Sequence, residues 1–544
     1  MAGRRASAGP MTMGGQGSLM ANFLTQAQAV VQMTEKAPPG GVGGWACQKG
    51  VKLDRGDFSF SRHEYLQVPY ADDHPCQVEK KCAQMGNTTR ALLRAFFAAI
   101  YMNFIGVLYL FPSKTGSAEF SKTRVSPLIN NNYEAIGRYA QETDSVSVKR
   151  IKNCNILLRG TRSTEGLRSD PTDFNIYDEF DLFEFNIEET AEARFSHSDY
   201  GWAHYLSNPT IPDFGIDKKF QETDQRYWFL RCPRCGKWTN PVEEWEANAR
   251  PSERGVPELI WERKDGSVVL RCMRCRDGIL DPAKGEWVAK KPRITEARGY
   301  QYSHLFSQYV KLDKFLYKYQ NTTDMQALYN YVLGLGYVAA DDVLTEEQVI
   351  GLCGSHGIMS SDTGPNYMGI DQQDTLNIII GDRSGFIKFI GVRKEFEELD
   401  TLMKDFNIVR CVLDAQPEKR LARAFAKRFP GKVFLNWYDD NKKGNYVWDE
   451  KEFKVSVDRT ESMDASHACL AGDGLIVLPH LCEPVKRFAL QCTKTVRQLK
   501  EDDKGNKRYV WVKRGADHDR HAFNYYNIAR GYSSDSIYSG MNMQ

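Results

Sequence analysis

The chain has 544 residues, which is too long for one hydrophobic core, because such cores stop growing at about 250–300 residues. Two or three domains are therefore expected, and a content of 42% apolar residues is sufficient to fill their cores. The formal net charge of only +2 excludes a chain that is basic over its whole surface, although a local basic surface for nucleic acid remains compatible with it.

The amino-terminal residues and the cysteines indicate where the protein works. Residues 1–44 are rich in Gly, Ala, Met and Gln, which predicts a flexible arm, and they contain no continuous apolar stretch of the signal-peptide type. Of the thirteen cysteines, only four stand in Cys-x-x-Cys pairs, and the others have no framework spacing. This usage is typical of a reduced cytosolic protein without a disulfide scaffold.

The longest apolar stretch, residues 91–111, is long enough to cross a bilayer on length alone. Arg94 and Asn103 interrupt it, and Gly106 is followed by a segment rich in β-forming residues. We therefore predict a buried helix that leads into a buried strand, and no membrane insertion.

A phosphate-binding loop is indicated just before this helix, in the segment KKCAQMGNTT at residues 80–89. Such a loop needs a glycine for close backbone approach, amides at a helix amino terminus, a lysine charge and a hydroxyl group for Mg²⁺. The usual G-x-x-x-x-G-K-[ST] form is absent, because Asn87 stands at the lysine position and no glycine opens the loop. An ordinary junction between a loop and a helix is the alternative interpretation.

Two adjacent carboxylates, Asp178 and Glu179, end a short β-like run farther along the chain. One carboxylate of such a pair can orient Mg²⁺ while its neighbour polarises the attacking water, as ATP hydrolysis requires. The apolar runs 106–112 and 156–160 predict strands of a largely parallel sheet around them, and a polar loop follows at residues 206–210. An acidic pair exposed at a strand end is the alternative.

Two Cys-x-x-Cys knuckles, each flanked by short β-like runs, stand in the middle of the chain, at Cys232, Cys235, Cys272 and Cys275. Four thiolates at this spacing fit the tetrahedral shell of a structural Zn²⁺ and leave no open position for catalysis. A redox dithiol is the alternative. Many basic residues lie close to the knuckles in the sequence, where they either contact DNA phosphates or balance the negative charge of the thiolates. Of these two roles for the zinc-binding segment, we favour a structural insertion over a DNA contact.

The second half of the chain has the pattern of a ribonuclease-H-like fold. Its predicted elements run β-β-β-α-β-α-β, over residues 367–371, 376–380, 386–392, 395–406, 408–414, 418–429 and 433–438. This fold places one carboxylate on its first strand and another at the end of its fourth, which are the positions of Asp371 and Asp414. Two Mg²⁺ ions between such acids can activate a water and stabilise the leaving oxygen when a phosphodiester is cleaved.

In their order, these motifs resemble those of the lambda-like large subunits of tailed-phage terminases, over nearly the whole chain from about residue 45. The resemblance implies that Lys81, with Lys80 as a close rival, supplies the charge for the β- and γ-phosphates. It also implies that Thr88 binds Mg²⁺ in a loop completed by Gly86 and Asn87. In the polar loop, Ser207, Asn208 and Thr210 would sense the γ-phosphate. Arg168, with Arg162 as rival, would stabilise transition-state charge from a neighbouring subunit, unless it is an ordinary surface arginine.

The carboxyl-terminal segment from Asp517 to Tyr525 resembles the terminase signature of an acid or amide, a histidine, and a later alanine and tyrosine. The family often has an aspartate just before that alanine, where this chain has His521. We therefore prefer Asp517 as the third metal ligand and keep Asp519 second. Asp458 is a possible auxiliary acid, and residues 486–514 predict a β-hairpin that offers basic side chains to DNA.

We therefore predict an α/β protein in which a P-loop ATPase domain with a zinc-ribbon insertion precedes a ribonuclease-H-like nuclease domain. The expected boundaries are a flexible arm at 1–44, the ATPase domain at 45–343 and the nuclease domain at 344–544, with the zinc insertion at about 227–290 and a helical linker at about 321–344.

The resemblance further implies an ATP-driven motor that packages double-stranded DNA into a procapsid, and a nuclease that cuts concatemeric viral DNA. The expected cofactors are ATP, Mg²⁺ or Mn²⁺, and Zn²⁺. The expected partners are double-stranded DNA, the portal of the procapsid, a small terminase subunit and further copies of the chain in a ring, all in the host cell cytoplasm. A cellular helicase-nuclease and a zinc-dependent DNA-binding protein with a degenerate ATPase remain as alternatives.

Overall fold

A computed structural model of the chain describes residues 36–531, except 142–144, 162–169, 184–186, 250–254, 440–443, 445, 474–475 and 502–506. The chain divides into two compact units between Tyr337 and Val338. The predicted boundary at Leu344 therefore lies inside the second unit. No helix among the described residues is long and apolar enough to span a bilayer.

The first unit is built on an eleven-stranded sheet in the order β11-β10-β15-β3-β9-β8-β4-β7-β6-β5, with β14 paired to β10. The strands are β1 (Lys52–Leu53), β2 (Gly56–Asp57), β3 (Cys76–Lys80), β4 (Gly106–Phe111), β5 (Ala140–Gln141), β6 (Val148–Ile151), β7 (Cys154–Gly160), β8 (Phe174–Asp178), β9 (Trp202–Ser207), β10 (Arg226–Arg231), β11 (Trp238–Thr239), β12 (Ile260–Glu262), β13 (Val268–Leu270), β14 (Gly285–Ala289) and β15 (Arg298–Gln301). From β15 to β7 all neighbours are parallel, so the carboxyl ends of β3, β8 and β9 meet at one edge.

Helices cover this sheet, because a sheet of buried apolar strands needs cover on both faces. They are α1 (Gly41–Gln48), α2 (Gln67–Ala71), α3 (Asn87–Tyr101), α4 (Lys114–Phe120), α5 (Ser126–Asn131), α6 (Ile187–Glu192), α7 (Gly215–Gln221), α8 (Pro241–Asn248), α9 (Leu312–Asn321) and α10 (Met325–Leu328). The long apolar stretch forms helix α3 and strand β4, as the sequence predicted.

Two expectations for the first unit need correction. Residues 41–44 belong to helix α1, not to a flexible arm, since Trp45 is fully buried in the core and fixes this helix. The zinc-bearing segment is also less separate than an insertion, because β10 and β14 are strands of the main sheet. The predicted helical linker consists of α10, a π-turn at Tyr329–Leu333 and a short turn at Ala340–Asp342.

The second unit has a seven-stranded sheet in the order β18-β17-β16-β19-β20-β22-β21. Its strands are β16 (Asn366–Gln372), β17 (Leu376–Gly381), β18 (Ile387–Arg393), β19 (Ile408–Asp414), β20 (Val433–Tyr438), β21 (Val447–Asp449) and β22 (Lys454–Val457), and a separate hairpin joins β23 (Thr495–Glu501) to β24 (Lys507–Lys513). The first three strands are antiparallel neighbours, and β19 then pairs in parallel with β16. This is the predicted ribonuclease-H-like order, and the predicted fold class is confirmed.

The helices of the second unit are α11 (Glu346–Ile350), α12 (Phe396–Asp405), α13 (Lys419–Arg428), α14 (Arg459–Ala468), α15 (Glu483–Cys492) and α16 (His518–Arg530). Residues 486–492 are thus helical, and the predicted hairpin begins only at Thr495. Helix α16 packs closely over β16, where a Cβ on Gly369 would lie only 2.1 Å from the Ala522 carbonyl oxygen and the Tyr526 nitrogen. The glycine therefore allows this helix to reach the sheet.

Candidate functional site

The phosphate loop occupies residues 81–86, between the end of β3 and the fifteen-residue helix α3. Gly86 stands immediately before the helix with a φ of 91°, a left-handed conformation that a side chain would strain. The loop therefore directs the free amides of the first helical turn toward the carboxyl edge of the sheet. Amides at a helix amino terminus favour a bound anion such as phosphate.

The two lysines of the loop point to different partners. Lys81 Nζ lies 3.1 Å from Glu179 Oε1 and 3.5 Å from Asn208 Oδ1, at the edge where β3, β8 and β9 end. Lys80 Nζ instead forms a buried ion pair of 2.9 Å with Asp217 Oδ1. Burial alone would lower the pKa of Lys81, but the Glu179 and Asp178 carboxylates raise it, so this lysine is charged. Lys81, not Lys80, is therefore the lysine that faces the acid pair.

The acid pair stands at the end of β8. Asp178 is buried and accepts a hydrogen bond of 2.9 Å from the Tyr109 hydroxyl, while its Oδ1 makes no hydrogen bond of ordinary geometry. Burial raises the pKa of Asp178 to about 6. The charge of Lys81 lowers this pKa, and the like charge of Glu179 raises it. A nearby cation would offset the cost of burying the charged carboxylate. The Oδ1 atom without a hydrogen bond therefore suits a divalent metal ion held beside the Thr88 side chain.

The polar loop after β9 meets the phosphate loop through Asn208. The Asn208 amide donates to the carbonyl oxygens of Lys81 and Asn330, at 3.1 and 3.3 Å. The Thr210 hydroxyl donates to Asp181 Oδ2, and the Ser207 hydroxyl donates to the Asn208 carbonyl. Of the three residues predicted to sense phosphate, Asn208 is therefore the one whose side chain contacts Lys81, while the Ser207 carbonyl accepts the Lys81 backbone N–H at 3.0 Å. Arg168 and Arg162 lie outside the described residues.

The four knuckle cysteines converge on one point. Their sulfur atoms all lie within 4.8 Å of one another, with Cys232 Sγ 3.7 Å from Cys275 Sγ and Cys235 Sγ 3.6 Å from Cys272 Sγ. Four sulfurs at about 2.3 Å from a tetrahedral Zn²⁺ stand about 3.8 Å apart. A Cβ on Gly278 would lie 2.2 Å from Cys232 Sγ, so the turn after the second knuckle needs this glycine. The arrangement fits a structural Zn²⁺.

The predicted nuclease acids stand side by side on neighbouring strands. Ile370 of β16 pairs with Leu413 of β19, so that Asp371 and Asp414 follow at the same level of the sheet. The Tyr525 hydroxyl donates to Asp414 Oδ2 at 3.0 Å, and His518 Nδ1 lies 2.9 Å from Asp371 Oδ2. Burial raises the pKa of Asp414, and the like charge of Asp371 raises it further. Paired carboxylates of this kind are stabilised by a cation.

Asp517 and Asp519, the two candidates for the third metal ligand of the nuclease, have different partners at the start of helix α16. Asp519 is fully buried and pairs with Arg487 at 2.7 Å, on the side of helix α15. Asp517 contacts Lys513 at 2.8 Å and His521 Nε2 at 3.3 Å. Asp458 caps helix α14 through the Glu461 nitrogen, which is the ordinary structural role of such an aspartate.

Among the described residues, the four cysteines are the one group of three or more His, Cys, Asp or Glu side chains whose ligand atoms all lie within 4.8 Å of one another. The ligand atoms of Asp371, Asp414 and Asp517 thus do not all lie within that distance of one another. Tyr109 and Tyr525, which hold Asp178 and Asp414, were not predicted as site residues. The only sequence signal for Tyr109 was its place on a predicted strand, and Tyr525 belonged to the resembled signature.

Part of the chain matches a known protein family. Residues 75–291 match the family model of the phage terminase large subunit gpA, ATPase domain, and no curated protein matches the chain. The crystal structure of the bacteriophage HK97 large terminase is similar at 11% identity and a TM-score of 0.48, over 90% of this chain and 98% of that chain. The large terminase of a thermophilic bacteriophage, solved in complex with ATP-gamma-S, is similar at 12% identity and a TM-score of 0.29, over 84% and 94%.

The structural similarities are too low to assign a function, so the family assignment depends on the match over residues 75–291. That range contains the phosphate loop, the acid pair, the polar loop and the cysteine knuckles. The narrower lambda-like assignment stays a prediction. Residues 75–291 thus match the ATPase domain of the phage terminase large subunits, as the sequence predicted.

Proposed function

We propose that this protein is the ATP-driven motor that moves double-stranded DNA into a procapsid, and that its second unit is the nuclease that cuts concatemeric viral DNA. The observation that carries the first part is the position of Lys81, whose ammonium lies between Glu179 and Asn208. Three separate segments of the sequence thus bring a cation, a carboxylate and an amide to one sheet edge. That is the set of groups from which a nucleotide-hydrolysing site is built.

ATP hydrolysis would use these residues in distinct roles. Lys81 and the amides from Gly86 to Thr88 would bind the β- and γ-phosphates, and Asp178 with Thr88 would hold Mg²⁺, which neutralises phosphate charge. Glu179 is free to orient the attacking water once Lys81 has turned to the phosphates. Asn208 would contact the γ-phosphate and transmit its loss. Arg168 would supply charge to the site of a neighbouring subunit, as proposed from the resemblance.

DNA cleavage would use the carboxyl edge of the second sheet. Asp371 and Asp414 would hold Mg²⁺ or Mn²⁺ together with Asp517, and such ions activate water and stabilise the leaving oxygen. Tyr525 would orient the Asp414 carboxylate, and His518 would leave Asp371 when the ions bind. Asp517 is favoured over Asp519, because the latter is committed to its ion pair with Arg487.

The four cysteines would hold a structural Zn²⁺ in the first unit. Their protein ligands fill a tetrahedral shell, so the ion would stabilise the knuckles without taking part in catalysis. Further proposed partners are the portal of the procapsid, a small terminase subunit and other copies of this chain in a ring. We propose the host cell cytoplasm as the place of action. The ATPase would be the first compact unit, which ends at Tyr337, and the nuclease would be the second, which begins at Val338.

The ATPase assignment is tested by DNA-stimulated ATP turnover of the full chain. We expect Lys81→Ala to abolish turnover, since no other lysine of the loop faces the acid pair, and we expect the exposed control Lys122→Ala to keep it. Wild-type turnover that Lys81→Ala leaves intact would contradict the proposed site. Unwinding of forked DNA without any procapsid would instead indicate a cellular helicase-nuclease.

A further inference from the structure

The turn that follows the acid pair contains a buried carboxylate without an assigned role. Asp181 lies in the short helical turn Phe180–Leu182 and is 4% exposed. Its Oδ2 accepts hydrogen bonds from the Thr210 nitrogen and hydroxyl, both at 2.8 Å, and its Oδ1 accepts one from the Ile216 nitrogen at 2.6 Å. One side chain therefore ties the end of β8 to both ends of the segment 210–216.

The same segment is shaped to receive this carboxylate. Gly215 has a φ of 51°, and a Cβ at this position would lie 2.4 Å from Asp181 Oδ1. The Asp181 nitrogen also donates to the Ser207 hydroxyl at 3.2 Å. Asp181 lies in the strand-end segment that carries Glu179, and its contacts thus come from the segment that carries Asn208.

A second buried carboxylate attaches this segment to the last residue of β3, directly before the phosphate loop. Asp217 pairs with Lys80 at 2.9 Å and accepts a hydrogen bond from the Asp213 nitrogen at 2.8 Å. Lys80 immediately precedes Lys81 in the chain. The segment from Ser207 to Asp217 is therefore held at Asp181 and at Lys80, and Asn208 of this segment contacts the Lys81 side chain.

We propose that Asp181 is a positioning residue for ATP hydrolysis, which fixes the polar loop of Asn208 to the turn of Glu179 so that the two loops move as one body. This inference rests on the proposed ATPase site. Because three donors point at the two oxygens, only a carboxylate satisfies them. An amide would turn its own N–H groups toward at least one backbone N–H.

The test compares Asp181→Asn with Asp199→Asn, which removes a charge from an exposed position of the same unit. We expect Asp181→Asn to lower kcat for DNA-stimulated ATP hydrolysis by about 10- to 100-fold, the effect expected for a misplaced catalytic group, with a nearly unchanged KM for ATP. The control keeps the wild-type kcat. Equal kcat per folded molecule in both variants, with only a lower unfolding temperature for Asp181→Asn, would overturn the proposal.

A second pair of variants decides the question if Asp181→Asn does not fold. Gly215→Ala pushes a methyl group against the Asp181 carboxylate, whereas Gly201→Ala imposes the same backbone strain at a φ of 58° with nothing within 4 Å. We expect kcat to fall in Gly215→Ala and not in Gly201→Ala, and equal kcat in the two variants would also overturn the proposal.

The variant Lys81→Ala distinguishes failure of the ATPase site from failure of the role of Asp181. If Lys81→Ala hydrolyses ATP like the wild type, the proposed ATPase site itself fails. If Lys81→Ala is inactive but Asp181→Asn is not, only the role of Asp181 fails.

Discussion

The hydroxyl of Tyr525 donates a 3.0 Å hydrogen bond to Oδ2 of Asp414, and so joins helix α16 to the end of β19. This bond favours the ionised carboxylate and lowers the pKa of Asp414, which burial raises. Tyr525→Phe should therefore raise that pKa and shift the acidic limb of the nuclease pH profile to higher pH. The measurement is the rate of DNA cleavage between pH 5 and 9. An unshifted limb would contradict the assigned role of Tyr525.

Gly369 is predicted to be essential for the nuclease but not for the ATPase. A Cβ at this position meets backbone atoms of helix α16 at 2.1 Å, and neither backbone can yield without moving the helix that carries Asp517. Such overpacking costs about 1–3 kcal/mol and displaces the packed elements. We expect Gly369→Ala to lose DNA cleavage and keep ATP turnover. Gly357→Ala, whose Cβ makes only an ordinary contact at 3.4 Å, is the control.

Zinc is predicted to be a stabilising ion of the first unit. Metal analysis of the purified chain should find one Zn²⁺, and Cys272→Ser should lose it and lower the unfolding temperature, because structural zinc contributes folding energy directly. Cys154→Ser, at a buried cysteine outside the knuckles, should keep the ion. The prediction would be wrong if the wild-type chain contained no zinc and a chelator left its unfolding temperature unchanged.

A buried ion pair beneath the phosphate loop should make stability depend on pH. Glu79 pairs with Arg90 at 2.6 Å and contacts His204 at 3.3 Å, all fully buried. Burial alone would raise the pKa of Glu79, but Arg90 and His204 lower it to about 2. The folded pKa is thus below the ordinary value of 4.5, so the stabilisation is present above pH 4.5 and is lost as the pH falls toward 2.

The corresponding variant is Glu79→Gln, measured by thermal unfolding. Removing one partner of a buried pair costs about 3–5 kcal/mol, so the variant should melt well below the wild type at pH 7. The gap should narrow as the pH falls below 4.5, since Glu79 of the unfolded wild type then binds a proton that the folded ion pair excludes. A gap that stays constant from pH 7 to pH 3 would show that the charge of Glu79 is not the source of the stability.

The sequence was sufficient for the strands and helices, because buried strands and amphipathic helices leave clear periodic patterns. Strands Ile408–Asp414 and Val433–Tyr438 have the predicted bounds. The cysteine knuckles could also be recognised from the sequence, since the spacing of the four cysteines is itself typical of a zinc site. The roles of Lys80 and Lys81 could not be distinguished, because only the fold reveals that Asp217 pairs with Lys80 and Glu179 with Lys81.

Long-range partners were the main information that the sequence lacked. Asp519 became a structural residue only because Arg487, on another helix, lies 2.7 Å from it. Asp181 was missed because its donors, Thr210 and Ile216, are about thirty residues away in the chain and belong to a loop without periodic pattern. The same holds for Tyr109, whose hydroxyl reaches Asp178 from a neighbouring strand.

The central claim is that two independent phosphate chemistries reside in the two units of this chain. ATP turnover and metal-dependent DNA nicking should therefore be measured side by side in the wild type, Lys81→Ala and Asp371→Asn, with Asp374→Asn as the exposed control. The account predicts that Lys81→Ala loses ATP turnover and keeps nicking, while Asp371→Asn does the reverse. Loss of both activities in either folded variant would contradict it.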